Sequence, residues 1–188
     1  MSTNGFIIFI ANGQSKNSYS HWDSGPRELG VNVLRWLRSS TSTPDGAPSL
    51  YQRIARLQIV SDEDALPTEA QRRDLAVYFE QTGSGEWYSL LRAAQGEPEK
   101  ILECGYVADE GEPYGWQYVI DADSETFSVD CDWGNRKLFS WPWSDLPDDN
   151  AFRALAEQYE AEAERYDKEQ YGQQDDDGSE PYASPQLG

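Results

Sequence analysis

The run Phe6-Ile7-Ile8-Phe9-Ile10, followed at once by Ala11-Asn12-Gly13, constrains the fold more than any other stretch of this chain. β-Branched and aromatic residues in succession leave apolar side chains on both faces, which predicts a buried strand from Gly5 to Ala11. Asn-Gly tolerates the positive φ angles that a tight turn between antiparallel strands needs. Lys16 to Trp22 is therefore predicted to return as a second strand.

The middle of the chain reads as helical. Ser24-Gly25-Pro26 opens a helix with Pro26 at its first position and Glu28 in its first turn, running to about Ser39. A Ser/Thr/Pro/Gly loop follows, then a second helix from about Ser49 to Val60 that buries Leu50, Ile54 and Leu57. After the acidic linker Ser61 to Leu66, Thr68 and Gln71 have the spacing of a capping box for a third helix, which carries Leu75, Tyr78 and Phe79 and stops at Gly83. Ser84 caps a fourth, through Trp87, Leu90 and Leu91 to Gly96. Pro98 to Gly105 fits either a helical turn or the approach to a strand.

From Tyr106 the period becomes two. Trp116, Tyr118 and Ile120 alternate with polar neighbours, and after a turn at Asp123-Ser124 so do Phe127, Val129 and Cys131, the signature of a hairpin with one buried face. Lys137 to Trp143 suits a third strand, with Pro142 favouring an edge or strand end. The expected fold is α+β: a mostly antiparallel sheet from N- and C-terminal hairpins, packed against about four helices. Residues 1–147 are expected to form one domain. Residues 148–171 read as an acidic, Ala/Glu-rich helical extension, and 172–188 as a disordered acidic tail.

Charge narrows the partners. Of the net −19, residues 1–100 hold 12 acids and 10 bases, residues 101–147 hold 10 and 2, and residues 148–188 hold 12 and 3. The acidity belongs to the C-terminal half. Such a field repels nucleic acid and anionic membrane and favours a basic protein partner. Cys104 and Cys131 stand 27 residues apart without metal-site or redox-motif spacing, and no leader or spanning segment is visible, so reduced thiols and a cytoplasmic location are expected. With two distant cysteines and one histidine, neither a metal site nor a cofactor is expected.

Three stretches carry a resemblance. They are Gly5-Phe6 through Asn12-Gly13, Lys16, Tyr19, His21, Asp23-Ser24, Pro26 and Leu29-Gly30; Trp87-Tyr88-Ser89-Leu90-Leu91-Arg92 with Gln95-Gly96; and Trp116 to Asp123. Together they resemble a family of small uncharacterised proteins from actinobacteria and their phages, over about residues 5–135. That resemblance implies a genomic context and a cytoplasmic setting, and no catalytic residue.

Several residues suggest sites. His21 is the only histidine, so any imidazole acid–base chemistry must use it. If the second strand extends through Asp23, His21 and Asp23 share a face. With Lys16 and Tyr19 they then form either a small binding or general-base site, or a hydrogen-bond cluster fixing the turn into the first helix, with Asp23 or Ser24 as cap. Ser2, exposed as a new N-terminus once Met1 is removed, would suit an N-terminal-nucleophile amide hydrolase, whose α-amine serves as base. Asp121, Asp123 and Glu125, with Asp132, imitate a calcium loop, but Thr126 stands where glycine is needed, so a hairpin turn explains them. Trp133, Trp141 and Trp143 lie in an Asp-rich segment, with the last two on one side of an extended strand. They form either an aromatic anchor for a basic partner or the closure of one end of the core.

The preferred expectation is a non-enzymatic acidic accessory protein that binds a basic protein, in its sharper form a phage or mobile-element inhibitor mimicking nucleic acid. The alternatives are an enzyme built on Ser2 or on His21 and Asp23, and a phage structural component.

Overall fold

The computed structural model describes residues 4–21, 23–60, 66–77, 87–109, 111–131 and 136–171. β1 (Gly5–Ala11) and β2 (Gln14–Ser20) form the expected first hairpin, paired from Gly5↔Ser20 to Ala11↔Gln14. Asn12 at φ 55° and Gly13 at φ 66° supply two successive left-handed residues, the turn whose twist matches that of the strands it joins. β2 begins two residues earlier than expected and stops at Ser20.

The first helical segment opens as a π-helical turn, Pro26–Gly30, before α1 (Val31–Thr41). Gly30 is needed for space rather than for flexibility. A Cβ there would lie 2.8 Å from Tyr118 Cε1 and 3.0 Å from Phe152 Cε1. α2 (Gly46–Arg56) buries Leu50 and Ile54 as expected. It ends before Leu57, and β3 (Gln58–Val60) replaces the helical continuation to Val60. α3 (Glu69–Asp74) carries the complete capping box: Gln71 N–H donates to Thr68 Oγ1 at 3.3 Å and Thr68 N–H to Gln71 Oε1 at 2.8 Å. α4 (Trp87–Arg92) and α5 (Pro98–Cys104) follow, so the segment from Pro98 is helical. β4 (Tyr106–Ala108) then pairs in parallel with β3 as a separate two-stranded sheet.

β5 (Trp116–Asp121) and β6 (Thr126–Cys131) make the second hairpin, and β7 (Arg136–Pro142) joins β6 across a bulge at Val129/Asp130. The main sheet has five strands in the order β2-β1-β5-β6-β7. Only the β1–β5 pairing is parallel; the others are antiparallel. The fold is α+β with a mostly antiparallel sheet drawn from both ends of the domain.

One face of this sheet carries Ile7, Phe9, Tyr118, Ile120, Phe127 and Val129, all with no exposed surface. α1 reaches it through Trp36 against Phe9, with ring centroids 6.4 Å apart. α2 reaches it through the Ile54 and Ala55 carbonyls on Lys16. Phe152 closes it, 6.4 Å from Phe127 and 5.9 Å from Trp141. These helical contacts all fall on this one face. On the other, Phe6 and Ile8 are buried, but Ile10, Tyr19, Gln117, Val119, Asp121 and Asp130 keep part of their surface in solvent.

The chain divides into two compact units, Met1–Arg153 and Ala154–Gly188. The division falls inside α6 (Asp149–Tyr171) rather than at residue 147. The reason is local: Phe152 is a core residue, and Asp149 pairs with Arg35 and Arg38 of α1. In the second unit, residues 154–171 are helical; the expected tail, 172–188, lies outside the described residues. Among the described residues, no helix is long and apolar enough to cross a membrane.

Candidate functional site

Lys16 and Tyr19 are three apart on β2 and so point to opposite faces. Lys16 turns toward the helices. It is 4% exposed, and its Nζ donates to the Ile54 and Ala55 carbonyls at 2.8 and 2.9 Å. These are among the last carbonyls of α2, at the negative end of the helix, which favours a cation; the Ile54 carbonyl also accepts the Leu57 N–H at 3.1 Å. Burial pushes the ammonium below its usual range. Lys16 is therefore a clamp on the end of a helix.

Tyr19 faces the other way. Its hydroxyl and His21 Nδ1 are 2.9 Å apart. Either the phenol donates to a bare Nδ1, or an Nδ1–H donates to the phenol oxygen, according to the tautomer. His21 and Asp23 do not continue the strand alternation, because β2 ends at Ser20 and Asp23 stands exposed at φ 51°. The helix cap expected from Asp23 or Ser24 is replaced by Gly25, which makes no side-chain cap. Ser24 is fully buried and its hydroxyl donates to the Ser20 carbonyl at 3.0 Å, while its own carbonyl accepts the Tyr118 hydroxyl at 2.7 Å. These bonds fix the turn out of β2. Beside Tyr19, the cleft toward Leu91, Gln95 and Tyr106 has a volume of about 10 Å³, room for one water.

The acids at the β5–β6 turn are bound within the protein. Asp121 accepts from the Asp123 and Ser124 N–H groups and from the Ser124 hydroxyl, at 2.9, 3.2 and 2.7 Å. Asp123 reaches across to the first hairpin and accepts the Asn12 and Gly13 N–H groups at 2.9 and 2.7 Å. The calcium-like spacing is thus the spacing of two hairpin turns tied together. Among the described residues, no group of three His, Cys, Asp or Glu side chains is arranged to hold a metal ion.

The tryptophans divide. Trp141 lies on the helix side, stacked on Phe139 and Phe127 at 5.6 and 6.0 Å. β7 ends at Pro142, and Trp143 begins a 3₁₀ turn, Trp143–Asp145, that breaks the period-two alternation. Trp143 is 7% exposed, and its indole N–H has no acceptor among the described residues. Trp143 is a core residue, and Trp141 is half-buried. Trp133 and Ser2 lie outside the described residues. Cys104 and Cys131 are both buried.

A residue that sequence reasoning passed over completes the open face. Tyr114 is 47% exposed and its ring meets Phe6 and Tyr19 with centroids 5.3 and 6.1 Å away. The signal was the pattern Gly111-Glu112-Pro113-Tyr114-Gly115, an aromatic residue inside a turn sequence. Elsewhere, a recess of about 240 Å³ lies between α1 and α2, with Ser40, Thr43, Asp45, Ser49 and Arg53 on its walls. Arg53 is paired there with Glu99 at 2.6 Å. The same guanidinium, with the Trp36 indole assisting and burial opposing, holds the Glu99 carboxyl below its usual range.

No family model, curated protein or solved structure matches this chain.

Proposed function

We propose that this chain is a non-enzymatic acidic accessory protein that binds a basic protein partner through the less covered face of its sheet. The observation that carries the reading is the make-up of that face. Tyr19, Tyr114, Ile10 and Val119 offer partly exposed aromatic and aliphatic surface, with Asp121 and Asp130 on the same side of the strands and Glu112 in the adjoining loop. Apolar groups that exclude water, rimmed by charge of one sign, suit a partner of the opposite charge. The net charge of −8 over residues 101–147, from 10 acids and 2 bases, supports the same assignment.

In its sharper form the reading is a nucleic-acid mimic, occupying a basic cleft that otherwise receives DNA or RNA. The resemblance to actinobacterial and phage proteins supplies a setting for it, a phage or mobile-element factor acting on a basic host component in the cytoplasm. The Tyr19–His21 pair then serves the surface rather than catalysis.

The test is affinity capture with the full chain from nuclease-treated lysate, followed by titration of the purified partner. A stoichiometric basic protein is expected, whose binding weakens steeply with salt and weakens further in an E112Q variant. A bait recovered alone at low salt, or a partner indifferent to both salt and the variant, refutes the reading.

A further inference from the structure

Tyr114 is an exposed aromatic side chain on a segment that the fold holds still. Asn17 Nδ2 donates to the Gly111 carbonyl and Gln117 Nε2 to the Pro113 carbonyl, each at 3.3 Å. Gly115 stands at φ 69°, and a Cβ there would lie 2.6 Å from the Asn4 carbonyl oxygen, so only glycine closes this turn. The Tyr114 ring is braced edge-on by Phe6, at 73° between planes, and by Tyr19, at 42°. Tyr19 is itself tethered through its hydroxyl to His21. A ring that only filled the core would be buried, and a loose one would lose rotamer freedom on meeting a partner. Tyr114 is neither.

We propose that Tyr114, backed by Tyr19, is the stacking site for an arginine side chain of the partner. The inference rests on the reading above that the partner is basic. A guanidinium is planar and weakly hydrated and lies well on an aromatic face, whereas a lysine ammonium is compact and strongly hydrated. Glu112, exposed two residues earlier in the same loop, adds a carboxylate, and carboxylates pair bidentately with a guanidinium but not with an ammonium.

The experiment titrates the full chain with two labelled probes of equal length and charge, an arginine–glycine peptide and a lysine–glycine peptide, followed by fluorescence anisotropy. Both should bind with salt sensitivity, the arginine peptide more tightly. Tyr114→Ala should weaken the arginine peptide roughly two- to five-fold, the range for a cation on an exposed ring, and leave the lysine peptide nearly unchanged. Tyr114→Phe, which keeps the ring, should retain the preference. Melting temperatures of both variants close to that of the parent confirm that the loop persists. Equal affinity for the two probes, an equal loss of both in Tyr114→Ala, or a loss in Tyr114→Phe matching that in Tyr114→Ala overturns the stacking site and leaves the basic-partner reading standing. Binding of neither probe at low salt overturns the basic-partner reading itself, and the stacking site with it.

Discussion

Cys104 makes stability depend on alkaline pH in a calculable way. Its thiol lies 4% exposed at the end of α5, in a small apolar cluster with Leu75, Trp87 and Leu90. Burial pushes its pKa from 9.0 up to about 11, against a smaller opposing effect of a hydrogen bond from the Tyr106 backbone. A folded-state value above the unfolded one stabilises the protein below the unfolded pKa, and that contribution drains away as pH rises through the folded value. Here the window runs from 9.0 to about 11. Each tenfold difference in acidity between the folded and unfolded thiol is worth about 1.4 kcal/mol. Moving from about pH 8 to about pH 10 therefore removes roughly 1.3 kcal/mol of stability through this thiol alone. The assay is urea unfolding of the parent and of Cys104→Ala at those two pH values. The variant starts lower, because it leaves a small cavity, but its decline between the two pH values should be shallower by that amount. Tyrosines and lysines titrate in both proteins and cancel. Parallel declines would refute the reasoning, and would restore Cys104 as a thiolate to consider in chemistry.

Two further substitutions probe the frame. Gly30→Ala places a methyl group 2.8 Å from the Tyr118 ring, which cannot easily yield because its hydroxyl is bonded to Ser24. A loss of about 1–3 kcal/mol is expected in chemical unfolding, and an unchanged midpoint would mean that the ring shifts freely. Asp123→Ala removes the acceptor for both turn amides of the first hairpin, and hydrogen exchange at Asn12 and Gly13 should accelerate while the strand interiors stay protected. Unchanged exchange at those two amides would show that Asp123 does not hold the turn.

What could be read from the sequence was local. Asn12-Gly13, the alternation over Trp116–Cys131 and the Thr68–Gln71 cap each specify their own geometry within a few residues, and each took the expected form. What could not be read depends on partners far along the chain. Lys16 resembles a surface lysine until the carbonyls 38 and 39 residues away are in place. β3 has three residues that extend the apolar spacing of α2, and only β4, paired with it as Gln58↔Tyr106, makes them a strand. Trp141 and Trp143 share a face only while the chain stays extended, and the 3₁₀ turn after Pro142 ends that. Of the surface itself, Tyr19 lies in the same segment as Lys16 and His21, whereas Tyr114 stands between strands, where no alternation assigns it a face.

The parallel seam between β1 and β5 also sets a schedule for synthesis. The first hairpin leaves the ribosome complete, but the strand that covers its inner edge begins at Trp116. At about 5–20 residues per second, the edge of Phe6-Ile7-Ile8-Phe9-Ile10 stays unpaired for roughly 5–20 seconds. A strand with apolar side chains on both faces is then open to any extended neighbour on a crowded polysome. Yield of this protein should therefore depend on elongation speed between codons 20 and 116, even where the finished molecule is unaffected.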